Sequence, residues 1–93
     1  MDTFAAGSPV LLSVTYFDVA GEATTPISPS LVLKPPRGAK STVTSFDLAE
    51  DEVSLDHTFT PTVVGRWAYQ WSGTIGGVLV VSPPAYFLAK ENL

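Results

Sequence analysis

The stretch that most constrains this chain is Gly65-Arg66-Trp67-Ala68-Tyr69-Gln70-Trp71-Ser72-Gly73. Its large rings recur at every second residue. In an extended chain that period puts Trp67, Tyr69 and Trp71 on one face and Arg66, Ala68 and Gln70 on the other. A helix would spread the same rings around its axis. Pro61 upstream and Gly73 downstream also oppose a helix. Rings of this size dominate the core of a small domain. The stretch is therefore expected to be a central strand bracketed by its two glycines, in a sandwich that covers the aromatic face.

The rest of the chain reads as shorter strands of the same kind. Residues 3–7 suit a short edge strand. In residues 10–17, Val10, Leu12, Val14 and Tyr16 share one face, with Leu11 and Phe17 on the other beside Ser13 and Thr15. Residues 18–22 are a turn and 23–29 a Thr/Pro/Ser loop. Residues 30–34 put Leu31 and Leu33 inward and Val32 outward, and Pro35-Pro36 stops the strand. Gly38 supplies the positive φ of a hairpin turn. Residues 40–46 are polar and Thr-rich, as an edge strand is, and 47–52 form an acidic loop. In residues 53–60, Val53, Leu55, His57 and Phe59 share a face. Residues 73–77 are expected to turn and 78–81 to return as the last strand, with Leu79 and Val81 inward.

The expected core is thus Val10, Leu12, Val14, Tyr16, Leu31, Leu33, Leu55, Phe59, Trp67, Tyr69, Leu79 and Val81. About six or seven short strands with regular turn signals and no helix predict an all-β, antiparallel immunoglobulin-like β-sandwich over residues 1–84. Residues 85–93 are too apolar for a solvated terminus and are expected to dock on their own domain or on a neighbour.

Composition narrows the function. Only 15% of residues are charged, against roughly 25% in an average soluble domain. A domain this small has much surface to cover with charge, so part of its apolar surface is expected to be covered by other subunits. The net charge is −4 with 5 basic residues, which argues against nucleic-acid binding. There is no cysteine, hence neither disulfide nor thiolate chemistry. No apolar run approaches the roughly 20 residues of a membrane helix, and no signal-peptide pattern opens the chain.

No catalytic, cofactor or metal set can be assembled. His57 is the sole histidine and lies on an apolar strand face, where a packing role is expected. Asp47, Glu50, Asp51, Glu52 and Asp56 could offer oxygens to calcium, but their spacing is not that of an EF-hand loop, and a solvated acidic turn is favoured. Gly73-x-x-Gly76-Gly77 lies between strands and reads as a hairpin turn rather than a phosphate loop. Trp71, near its strand end, is either core or a rim platform for sugars. Leu11, Phe17, Val32, Val78 and Val80 lie opposite the expected core, and with Tyr86, Phe87 and Leu88 of the tail they form the candidate protein interface. Val78 and Val80 would also suit strand addition by a partner chain.

Several short motifs in order resemble a known family. They are Gly7-Ser8-Pro9-Val10, Phe17-Asp18-Val19-Ala20-Gly21, Leu33-Lys34-Pro35-Pro36-Arg37-Gly38 and Val64-Gly65-Arg66-Trp67-Ala68-Tyr69-Gln70-Trp71, followed by a Val-rich closing strand. Over residues 3–83 the chain is similar to the small immunoglobulin-like domains of tailed-bacteriophage structural proteins. Within it, residues 63–69 resemble the Asp-x-Gly-x-Tyr-x-Cys stretch of immunoglobulin strand F. Gly65 takes the glycine place, Trp67 the tyrosine and Tyr69 the cysteine, while Val63 stands where that pattern has an acid. The resemblance implies a non-enzymatic virion component, made in the host cytoplasm and present in many copies. Its partners would be capsid, neck or tail subunits, with head decoration or the neck as the first expectation. The alternative it leaves is a tail-associated or cell-surface module for adhesion or carbohydrate binding.

Overall fold

A computed structural model describes residues 2–51 and 53–91. Glu52 of the expected acidic group and Asn92 and Leu93 of the tail lie outside the described residues, as does Met1. Every regular element is a strand: β1 (Asp2–Ala5), β2 (Val10–Val14), β3 (Tyr16–Phe17), β4 (Ala23–Thr24), β5 (Ile27–Lys34), β6 (Ser41–Val43), β7 (Asp47–Leu48), β8 (Leu55–Phe59), β9 (Gly65–Ile75), β10 (Val78–Val81) and β11 (Ala85–Lys90).

β9 carries the three rings and is central, as its apolar content requires. The larger sheet runs β1-β11-β9-β5-β6, and β10 also pairs with β9. The smaller sheet runs β2-β8-β7, and β3 and β4 form a two-stranded ribbon. All pairings are antiparallel except that of β1 with β11. Val10, Leu12 and Leu55 of the smaller sheet meet Leu31, Leu33 and Trp71 of the larger one, with Tyr16 beside them. Trp67, Phe87 and Ala89 continue this core toward the start of β9, joined by Phe4 and Phe59. The fold is all-β, with two sheets closed over one apolar layer as in a β-sandwich.

The alternation read in residues 10–16, 31–33 and 67–71 holds: Val10, Leu12, Tyr16, Leu31, Leu33, Leu55 and Trp67 are buried. Val14, Phe59 and Tyr69 are half-buried and packed against the core. Leu79 and Val81 are not core, being 65% and 51% exposed. Their register explains it. Val78 and Val80 pair with Ile75 and Gly73, which share the inward parity of Trp71, so Leu79 and Val81 face outward with Thr74 and Ser72.

Gly73 does not end the strand. β9 continues to Ile75, and the turn is Gly76-Gly77 alone, with φ of 58° and 80°. Two successive positive φ angles make the type I′ turn that suits strand twist. Gly73 instead leaves a hole for Pro26, whose Cβ would lie 2.7 Å from a Cβ added there.

The division at residue 84 also changes. Residues 85–90 are β11, inserted between β1 and β9, so this part of the tail completes the main sheet. Phe87, expected at an interface, is 2% exposed and packs parallel to Trp67 at 6.0 Å between ring centroids.

Candidate interaction surfaces

The site-forming element is the far end of β9 with β10. β10 and β11 follow one another along the same side of β9 but are out of phase by one residue. Ser82 makes the break. Its N–H donates to the Trp71 carbonyl at 2.9 Å, its Oγ accepts the Trp71 N–H at 3.0 Å, and its carbonyl accepts from Gln70 Nε2 at 2.8 Å. A side chain thus replaces a backbone partner, and Pro83-Pro84 offer no N–H to restore the ladder. The extra residue reverses which side chains face inward. Ala85, Phe87 and Ala89 pair with Tyr69, Trp67 and Gly65 on the core side.

The β9–β10 hairpin is an apolar arm whose two faces are both exposed. On the inward face, Val78 (64% exposed) and Val80 join Ile75, Phe17 and Val19 around a depression of about 370 Å³. The turn that carries Val19 is pinned by the Asp18 carboxylate, which accepts the N–H groups of Ala20 and Glu22 at 2.9 and 3.0 Å. On the outward face, Leu79 lies across from Thr74, which also pairs with exposed Ile27. No charged side chain occurs between Arg66 and Lys90. Among the described residues β10 pairs only with β9, so its other edge keeps unpaired backbone groups. Of the usual guards of such an edge, β10 carries no lysine, proline or charge; it is short, at 4 residues, and ends at the Ser82 break.

Of the eight expected interface residues, the structure brings Phe17, Val78 and Val80 together. Val32 and Tyr86 lie elsewhere, on the outward face of the larger sheet, where they line a separate groove. Half-buried Leu88 pairs with Arg66 near that groove. Leu11 is exposed on the smaller sheet, apart from the others, and Phe87 is core. Val19, Ile27, Leu79 and Val81 were missed. Val19 and Ile27 sit in segments read as turn and loop, and the other two carry the parity that Ser82 reverses.

The remaining candidates resolve into packing and turn formation. Trp71 is 3% exposed against Phe46, at 5.3 Å between centroids, so it offers no rim platform. His57 stacks on Phe59 at 6.2 Å. Asp51 closes its own turn: its carboxylate accepts the Ser54 hydroxyl at 2.6 Å and the N–H groups of Ser54 and Val53. These bonds, the Ser54 hydroxyl foremost, hold its carboxyl below the usual range. Among the described residues no group of His, Cys, Asp and Glu is placed to hold a metal ion, and no helix is long and apolar enough to cross a membrane. Comparison with known proteins returns no match to a family model, a curated protein or a solved structure.

Proposed function

We propose that the chain is a non-enzymatic structural component of a bacteriophage virion, an immunoglobulin-like domain that decorates the capsid or sits in the neck. It works by protein–protein assembly. The observation that carries this reading is the β10 edge: unpaired among the described residues, uncharged and apolar on both faces. A monomer that stays free in solution guards such an edge, whereas a subunit offers it to a neighbour. A partner strand laid on β10 would gain main-chain hydrogen bonds from the edge and side-chain contacts from Val78, Leu79, Val80 and Val81.

Strand order supports the immunoglobulin-like part. The smaller sheet, β2-β8-β7, matches the B-E-D order, and β11-β9-β5-β6 matches G-F-C-C′. Trp67 adds a local parallel. Its Nε1 donates to the Val63 carbonyl at 2.9 Å, four residues back, as the ring hydroxyl does in a tyrosine corner. The sugar-binding alternative loses the ring it depended on, since Trp71 is buried.

The test is uptake of the purified chain by particles that lack it. Wild-type protein is expected to bind at a fixed copy number. The exposed pair Val78→Lys and Leu79→Lys is expected to abolish uptake while leaving thermal unfolding nearly unchanged. Uptake of that variant at the wild-type level would overturn the role of the arm, and failure of the wild type to bind any particle would overturn the virion reading.

A further inference from the structure

The basic residues of this molecule gather at one end of β9, where Asp2 and Glu91 are the neighbouring acids. Lys34 pairs with Ala68, Leu88 pairs with Arg66, and Lys90 follows Ala89, the partner of Gly65. Arg37 and Lys40 lie on the turn between Lys34 and β6. All 5 basic residues therefore sit at the Gly65 end. The acidic turn between β7 and β8 sits at the other end. Leu48 pairs with Leu55 and Leu55 with Val14, two residues before Tyr16, whose hydroxyl donates to the Ser72 carbonyl. Thr25, next to the Pro26 that fills the hole at Gly73, donates to the Val53 carbonyl of the same turn.

Both ends are shaped for contact. At the basic end, Lys34, Lys40 and Arg66 line a groove of about 510 Å³ with Val32, Pro84 and Tyr86. The groove lining holds no carboxylate. The Arg66 guanidinium carbon lies 4.8 Å from the Tyr86 ring centroid, an attraction that orients the charge beside the groove. At the acidic end, Asp47 and Leu48 of β7 are exposed, as is Glu50 on the following turn that Asp51 holds in shape. Leu48 is 57% exposed and faces the side of its partner Leu55, opposite Asp47. Carboxylates clustered at a fixed turn are the charge complement of a groove lined by cations.

We infer that the groove takes the acidic β7–β8 turn of a second copy of this chain, so that copies join head to tail. The turn belongs to the smaller sheet and the groove to the outward face of the larger one, with the core between them. One molecule cannot satisfy both by itself. Each bound copy leaves one groove and one turn free, so the contact is heterologous and builds rings or rows rather than a two-fold dimer. It is a second surface, independent of the β10 arm.

The test is sedimentation velocity of the full chain and its charge-swapped variants. Wild type is expected to associate beyond a dimer at roughly 0.05 M salt, with affinity falling at least about tenfold by roughly 0.5 M, because exposed charges are screened. The groove variant (Lys34→Glu with Arg66→Glu) and the turn variant (Asp47→Lys with Glu50→Lys) are each expected to be monomeric. An equimolar mixture is expected to associate again, since each then meets its opposite charge, which also shows that both are folded. Wild type that is monomeric, salt-insensitive or limited to a dimer would overturn the inference. So would a mixture that stays monomeric. The Val78→Lys, Leu79→Lys variant is expected to keep the salt-sensitive association, so failure of the arm is read separately.

Discussion

Trp67 and Trp71 share a face of β9 and differ in one respect that can be measured. The Trp67 indole N–H donates to the Val63 carbonyl, whereas the buried Trp71 indole N–H has no partner among the described residues. Phe in place of either removes similar volume. At Trp67 it also removes a hydrogen bond, a net contribution of about 1 kcal/mol. Urea unfolding should therefore find Trp67→Phe about 1–2 kcal/mol more destabilising than Trp71→Phe, and equal losses would refute the assigned role of the indole bond. At Gly73 an added Cβ would meet Pro26 at 2.7 Å and Tyr16 at 3.5 Å. Gly73→Ala should cost about 1–3 kcal/mol, as overpacking in a closed core does. Gly76 and Gly77, by contrast, have open space around them and are required only for their φ. Asp51 makes stability depend on acid. Its folded pKa is depressed, so its contribution is present above the unfolded carboxyl value near 4 and is lost as pH falls through the folded one. The stability gap between wild type and Asp51→Asn, followed by denaturation at successive pH values, should be present near neutrality and close below about pH 4.

At the scale of elements, the strands that follow simple alternation were legible, and those with a break were not. Val10, Leu12, Val14 and Tyr16 keep one parity even though the ladder changes partner at Thr15, because the chain stays extended there. Residues 55–59 read correctly for the same reason, with Leu55 buried and Phe59 half-buried, whereas Val53 and Ser54 lie in the turn closed by Asp51. The β10–β11 edge failed because one added residue at Ser82 changes parity, and a serine before two prolines carries no mark of which parity follows it. β5 begins earlier than its apolar run because Ser28, at φ 52°, absorbs an irregularity between Ile27 and Ser30. A Thr/Pro/Ser stretch hides such a strand. Trp71 was ambiguous because its distance from Gly73 suggested a strand end, whereas Gly73 is an interior hole. The apolar arm was half legible: Val78 and Val80 were read as exposed, which they are, but on the outward face, whereas they lie on the inward one, and their grouping with Val19 depends on a turn folded by Asp18.

At the scale of the whole molecule, the shortage of charge noted in the sequence acquires a place. The uncharged run from Trp67 to Ala89 holds both buried core residues, Trp71, Phe87 and Ala89, and the exposed arm. The basic residues gather at the Gly65 end of β9, and the acidic β7–β8 turn lies at the other. In the proposed assembly, a domain with extents of 46 × 27 × 22 Å presents an edge to one neighbour and its two ends to copies of itself. Many weak contacts repeated in this way give a firm assembly without any one being strong. The central claim is that β10 is the edge taken up by a partner. Hydrogen–deuterium exchange of residues 78–81, compared between the free chain and the assembled particle, tests it most directly. Fast exchange in the free chain and strong protection on assembly is the predicted result. Equal exchange in both states, with new protection confined to other strands, would contradict it.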